Sequence, residues 1–366
     1  MNQFIKILEL STIGLPEFKE VRGKDWVSFG SDNLYPQKLI ELLQTSAIHN
    51  TAVKAKVDAS VGEGISEFGE TIINQNGETL NDIYMKICLD YIILGGYSLN
   101  TIWNRGGDKV VEIYHLPFNN VRSEKMNEED KVDYYYYSSN WGNTRKYKPI
   151  QYKSFDRTDN RGENASQIYY YYDYTPGNDI YPLPSYVGAL NDIQLDARIS
   201  NYHNNNISNG FSGGIMINLP NSEPTPEEQR ALYKDMVQSF TGTDNAGRLF
   251  LSFSDGPELA PQIQSINSTT DDYYITLEQR VTSRVITAHR LTSPLLVGIR
   301  DTSTGLGNNA NEIEVAYTHF MSSVIEPIQK SINKSLRGVL IPFGIENPIQ
   351  VIPSSLDFNK NIQGEV

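Results

Sequence analysis

Asp271-Asp-Tyr-Tyr-Ile-Thr-Leu-Glu-Gln-Arg-Val-Thr-Ser-Arg-Val-Ile-Thr-Ala-His-Arg290 decides how the last third of this chain is organised. Tyr274, Leu277, Val281, Val285 and Ala288 recur at steps of three and four, so the stretch predicts a helix with one apolar stripe. Leu291-Thr-Ser-Pro-Leu-Leu-Val-Gly-Ile-Arg300 follows as an apolar connector. Asp301-Thr-Ser-Thr-Gly-Leu-Gly-Asn-Asn-Ala310 is then small and polar. A second helix is predicted from about Asn311, with Ile313, Tyr317, Phe320, Val324, Ile328, Ile332 and Leu336 on one face. Pro327 lies inside it, where the missing N–H and a clash with the preceding turn predict a kink or a break. Two helices framing a polar loop hold that loop out into an open space.

Upstream, Pro182-Leu-Pro184 is a rigid joint, and Ser185 to about Asn206 reads as a rod of helix carrying Tyr186, Leu190, Ile193, Ala197 and Ser200. Between the two rods lies a small insert. Gly214–Leu219 is a predicted strand, and Thr225-Pro-Glu-Glu228 is a helix start of the capping-box type. Arg248–Phe253 is a second predicted strand, giving a β-α-β element. The first half of the chain reads as α+β. A helix, or two pieces of one, runs from Gln37 to Glu63 and stops at Gly62-Glu-Gly64. Leu80–Leu94 is another, ended by Gly95-Gly96. Tyr97–Trp103 and Val110–Leu116 flank Asn104-Arg-Gly-Gly-Asp108 as a hairpin. Tyr134–Tyr137 and Tyr169–Tyr172 are two four-tyrosine runs, read as paired strands whose alternate rings face opposite sides.

With 366 residues the chain calls for more than one lobe, and 39% hydrophobic content leaves surface to be covered by assembly. The net charge of −13 argues against tight non-specific nucleic-acid binding, though not against a channel that DNA passes through. Cys88 is the single cysteine, so no intrachain disulfide forms, and its apolar neighbours mark it as a core thiol. No apolar run is long enough to span a bilayer, and Glu9 interrupts the Phe4–Leu10 segment, so secretion is not indicated.

Chemical motifs are sparse. Gly305-Leu-Gly-Asn-Asn-Ala310 has the letters of a dinucleotide fingerprint but lacks the strand that should end in its first glycine. The histidines, His49, His115, His203, His289 and His319, show no metal spacing, and His289 reads as a cation at a helix end. Ser331-Ile-Asn-Lys334 lies mid-helix without partner motifs. Glu128-Glu-Asp130 reads as a solvated loop. Arg280 and Arg284 form either a salt-bridged face or a contact between subunits, the second being favoured.

Four segments in order resemble the portal proteins of tailed bacteriophages, in the shorter class typical of long-tailed phages. They are Asn33-Leu-Tyr-Pro36 with its helix and Gly62-Glu-Gly64; Tyr181-Pro-Leu-Pro-Ser-Tyr186 leading into a long helix; Thr241 to Ser254 with Asn245-Ala-Gly247; and Arg284-Val-Ile-Thr-Ala-His-Arg-Leu-Thr-Ser-Pro-Leu-Leu-Val-Gly298 with the following loop and Pro327 helix. The resemblance implies an α+β portal fold: an α/β wing (residues 1–184 and 311–366), a two-helix stem (185–210 and 268–292), a β-α-β clip (211–267) and a tunnel-loop region (293–310). Little chain is left for a C-terminal helical crown. It further implies a non-enzymatic ring of about twelve copies at one capsid vertex, closed by head-to-tail contacts. Double-stranded DNA would pass through without sequence-specific binding.

On the same basis Arg300, Asp301, Thr302, Ser303, Thr304, Gly305, Leu306, Gly307, Asn308 and Asn309 are the channel-loop candidates. Asp192, Asp196, Arg198, Arg280 and Arg284 are the stem or inter-subunit candidates. Thr241, Asp244, Asn245 and Arg248 are the clip positions facing the motor or adaptor. Expected partners are further copies of the chain, the major capsid protein, the large terminase subunit and a head-tail adaptor, with no membrane, cofactor or metal. The expected location is the virion, with assembly in the host cytoplasm. The rivals are another tail or baseplate protein and a carbohydrate-active enzyme; no carboxylate pair stands out for the latter.

Overall fold

The computed structural model describes residues 15–20, 23–209, 214–219, 225, 227–228, 230–231, 234, 249–253, 262–266, 271–298 and 309–354. They fall into two compact units, Met1–Gln194 with Arg284–Val366, and Leu195–Ser283.

The first unit combines helices with a six-stranded sheet. Strands β1 (Phe18–Glu20) and β2 (Val27–Phe29) pair antiparallel. Helix α1 (Tyr35–Thr45) has Pro36 in its first turn, and a single residue, Ser46, separates it from α2 (Ala47–Val61). Ser46 makes the break: its hydroxyl caps the N–H of His49 at 3.2 Å. Gly62 ends α2 at φ 56°, where a side chain would run into the Ile352 carbonyl. Helix α3 (Leu80–Leu94) carries the reciprocal Thr79–Asp82 capping box and ends at Gly95 in the left-handed region. Cys88 is fully buried on it.

The large sheet has the order β4-β3-β8-β7-β6-β5. Its strands are β3 (Gly96–Trp103), β4 (Val110–Leu116), β5 (Val121–Ser123), β6 (Tyr134–Tyr137), β7 (Ile150–Ser154) and β8 (Ser166–Tyr172). The β3–β4 hairpin forms as expected. The two tyrosine runs do not pair with each other, because β7 intervenes, parallel to β8 and antiparallel to β6. Lying in one sheet, they still meet ring to ring: Tyr170 stacks on Tyr135 at 4.8 Å and on Phe118 at 4.6 Å. The alternate residues of β8 turn the other way. Tyr169 donates to the Ser335 carbonyl at 2.7 Å, and the Tyr171 hydroxyl meets Ser331 Oγ at 3.0 Å. Pleat alternation thus lets Tyr170 stack within the sheet while Tyr169 and Tyr171, on the other face of β8, hydrogen-bond to Ser335 and Ser331.

The C-terminal elements of this unit are α6 (Asn309–Phe320), a π turn (Met321–Ile325) and α7 (Glu326–Phe343). The interruption expected at Pro327 is a π turn just before it, and Pro327 sits in the first turn of α7, where its missing N–H costs least. Ser322 and Ser323 both bend back to the His319 carbonyl, at 3.2 and 2.6 Å, which loosens the helix at the π turn.

Helix α4 (Leu190–Asn209) follows a 3-10 turn at Val187–Ala189, so it begins five residues later than the pattern suggested. The second unit contains β9 (Gly214–Leu219), β10 (Leu249–Phe253) and β11 (Gln262–Ile266). Strand β9 is central, parallel to β10 and antiparallel to β11, which adds a third strand to the β-α-β reading. Thr225 and Glu228 make the reciprocal cap foreseen for the intervening helical residues. Helix α5 (Asp271–Ala288) carries the chain back into the first unit.

Candidate functional site

The connector Leu291–Gly298 and its supports form the described base of the 299–308 segment. Helix α5 ends in a Schellman arrangement. Leu291 N–H bonds the Ile286 carbonyl at 3.2 Å and Arg290 N–H bonds that of Thr287 at 2.9 Å. Ile286 and Leu291 join one apolar cluster with Ala52, Phe320, Val324 and Ile325. The left-handed position is Arg290, at φ 57°, where glycine is the usual residue. A side chain is useful there: Arg290 Nη2 donates to the Ser323 carbonyl at 3.1 Å, four residues before Pro327, whose ring leaves that carbonyl without its helical donor. Thr292 adds a second rivet to the Ala316 carbonyl at 2.6 Å. Ser293 caps the 3-10 turn Pro294–Val297, which closes at Gly298 with φ 75°.

Beneath the connector lies a buried basic centre. His49 Nδ1 and His289 Nε2 are 2.9 Å apart, and the Tyr186 ring stacks on His289 at 5.1 Å. Both imidazoles are fully buried. Burial first, then the nearby Lys56 cation, lowers His49 to about 4 and His289 to about 2. His289 is thus a neutral core partner, not the helix-end cation that its position suggested. Lys56 is 2% exposed, and burial with the neighbouring Arg290 charge brings it down to about 8. Its Nζ reaches Ser185 Oγ at 3.4 Å. A cavity of about 250 Å3 opens beside it, lined by Lys56, Arg290, Ser185, Thr175, Asp173 and Pro327 among others. Gly95 lines the same cavity; there the Leu183 carbonyl would lie 2.8 Å from any added Cβ.

His49, Ala52, Val53, Lys56, Val57 and Ser60 make the buried stripe of α2. A histidine and a lysine on an otherwise apolar stripe were the available signal for this centre. Its other half, His289, lies 240 residues away and carried no local signal beyond standing four residues after Val285.

Of the residues chosen from sequence, Arg284 and Asp192 form an ion pair within the chain at 3.3 Å, with the arginine exposed and the aspartate partly buried. Asp196 is 9% exposed, whereas Arg198 and Arg280 are exposed. Asn309, read as the end of the loop, is the first residue of α6. Arg300, Asp301, Thr302, Ser303, Thr304, Gly305, Leu306, Gly307 and Asn308 lie outside the described residues, as do Thr241, Asp244, Asn245 and Arg248. Among the described residues no group of three or more metal-ligating side chains occurs, and no helix is long and apolar enough to cross a membrane.

The fold is the portal fold of tailed phages and related particles. An HK97-family phage portal protein from Corynebacterium diphtheriae aligns with a TM-score of 0.50 at 10% identity, over 86% of this chain and 94% of that one. A chain from the neck of a native gene transfer agent particle, solved with C12 symmetry, aligns with a TM-score of 0.55 at 16% identity, over 87% and 84%. A chain from the virion of the native particle gives 0.55 and 16%, over 86% and 83%. In sequence, the chain is 25% identical over 173 residues to the probable portal protein of Haemophilus phage HP1. That match takes in 47% of this chain and spans about half the length of that relative, 50%. No protein-family model matches the chain.

Proposed function

We propose that the protein is a portal subunit. Copies close into a ring of about twelve at one capsid vertex, and double-stranded DNA enters and leaves through the central channel. The observation that carries this reading is the fold shared over most of the chain with a chain from a gene transfer agent neck computed with C12 symmetry. The charge supports it: at −13 per chain a ring repels the phosphates of the passing DNA rather than holding them, within a screening length of about 8 Å at physiological salt. In this reading residues 300–308 line the channel, and the described connector, fixed by Arg290 and Thr292, anchors them. The 211–267 insert is the clip that meets the terminase and later the head-tail adaptor. The role is conduction and docking, without catalysis.

Native mass spectrometry with negative-stain imaging of the purified protein tests it. A closed ring of about twelve subunits with a central hole is the expected result; a stable monomer or dimer, in the presence of its capsid partners as well, would sink it. Deleting Ser303–Asn308 is expected to leave the ring intact and to impair DNA packaging or retention.

A further inference from the structure

Lys56 is a buried cation without a counter-ion among the described residues. Among the described residues no carboxylate lies within 4.0 Å of it, and one long hydrogen bond to Ser185 serves an ammonium that has three donors. Arg290, a second cation, shares its cavity. Asp173 lines that cavity too, but its carboxylate is held by the hydroxyls of Tyr91, Tyr171 and Ser331. The cavity lining therefore combines a satisfied acid with two bases that have no carboxylate partner among the described residues. An isolated buried charge is costly, and a bound anion is the direct remedy.

We propose that this cavity is a binding site for one phosphate-sized oxyanion, gripped by Lys56 Nζ and the Arg290 guanidinium, with the Ser185 hydroxyl as a further donor. At about 250 Å3 the space takes a tetrahedral anion and some water. The remaining Nη and Nε donors of Arg290 stay available while one nitrogen holds Ser323. The occupant thus joins α2 to the connector that anchors the 299–308 segment. Two sources share this chemistry, dissolved phosphate and the backbone phosphate of nucleic acid. The inference does not depend on ring formation.

The test is thermal unfolding of the full-length protein titrated with inorganic phosphate against chloride at equal ionic strength. A saturating rise in unfolding temperature, absent in Lys56→Met and retained in Lys56→Arg, is the expected result. Peptide mass spectrometry of Lys56 acetylation in the wild-type protein gives a second readout, with phosphate slowing modification at this lysine. Short duplex DNA at matched phosphate concentration assigns the source. Equal protection points to nucleic acid, and protection by inorganic phosphate alone points to the dissolved ion. No phosphate-specific rise, no slowing of acetylation, or the same rise in Lys56→Met would overturn the site.

Discussion

Arg122 and Lys56 are both buried cations in the first unit, and they are treated in opposite ways. Arg122 is fully enclosed, yet every part of its guanidinium is engaged. Nε meets Asn33 Oδ1 at 2.6 Å, Nη1 the carbonyls of Asn119 and Val121, and Nη2 the carbonyl of Asn33 at 2.7 Å. Its plane also lies 4.9 Å from the Trp141 ring. Asn33 holds a left-handed turn at φ 63° to present both oxygens. Burial lowers Arg122 only to about 10, so it stays charged. Lys56 has one long hydrogen bond and an adjoining cavity. A planar fork can be satisfied by fixed backbone carbonyls; a single ammonium left beside open space is suited to something that comes and goes.

The contrast breaks first at Arg122. Arg122→Met orphans several buried acceptors at about 1–3 kcal/mol each and is expected to cost about 3–5 kcal/mol in urea unfolding. A cost below 1 kcal/mol would mean that the network is incidental. Lys56→Met should go the other way in phosphate-free buffer, from neutral to about 4 kcal/mol more stable, because it removes an unmatched charge. The pH dependence has a fixed sign. Lys56 is lowered to about 8 in the folded chain from 10.5, so between those values the unfolded state binds more protons and stability rises with pH. Relative to the variant, the wild type should gain about 1.4 kcal/mol per pH unit in that window.

The histidine pair sharpens the comparison at acid pH. His49 and His289 are lowered from 6.5, so the unfolded state takes up protons first and stability falls as pH drops from 6.5 toward 4. His289→Gln should flatten that limb by about 1.4 kcal/mol per pH unit, read from urea midpoints at pH 7, 6 and 5. The smallest effect is at Arg290. Arg290→Ala keeps the left-handed strain and loses the bond to Ser323, for about 1 kcal/mol. Arg290→Gly loses the same bond but relieves the strain, so it should sit above Arg290→Ala in thermal unfolding. The reverse order would remove the reason given for an arginine at that place.

The local elements were legible because their signals are local. Pro36, the Asn104–Asp108 turn and the glycines after α2 and α3 placed those boundaries within a residue or two. Strand β7 was missed because Ile150–Ser154 is short and half polar, and its omission made the tyrosine strands seem adjacent. The π turn was invisible because it depends on two serines bending to one carbonyl as well as on the proline that announced a disturbance. The basic centre was half visible. His49 and Lys56 stand on an apolar stripe, but only the folded chain brings His289 and Arg290 to them.

Helix α7 has a second arginine seated on a proline-freed carbonyl. Arg157 reaches Gly338, four residues before Pro342, at 2.7 Å, as Arg290 reaches Ser323 before Pro327. Both clasps involve residues that leave the ribosome well after α2, α3 and the sheet. So do the contacts of Tyr84 with Asn333, Tyr97 with Ser335 and Ser60 with Gln329, which join residues 249, 238 and 269 apart in sequence. On the ribosome the first unit therefore waits, with α2, α3 and its sheet uncovered, until α7 has emerged. The unit at Leu195–Ser283, contiguous in sequence, has all its residues available earlier. A chain halted before α7 exposes its own unclosed core, and the turns of that helix set the moment at which the first unit closes.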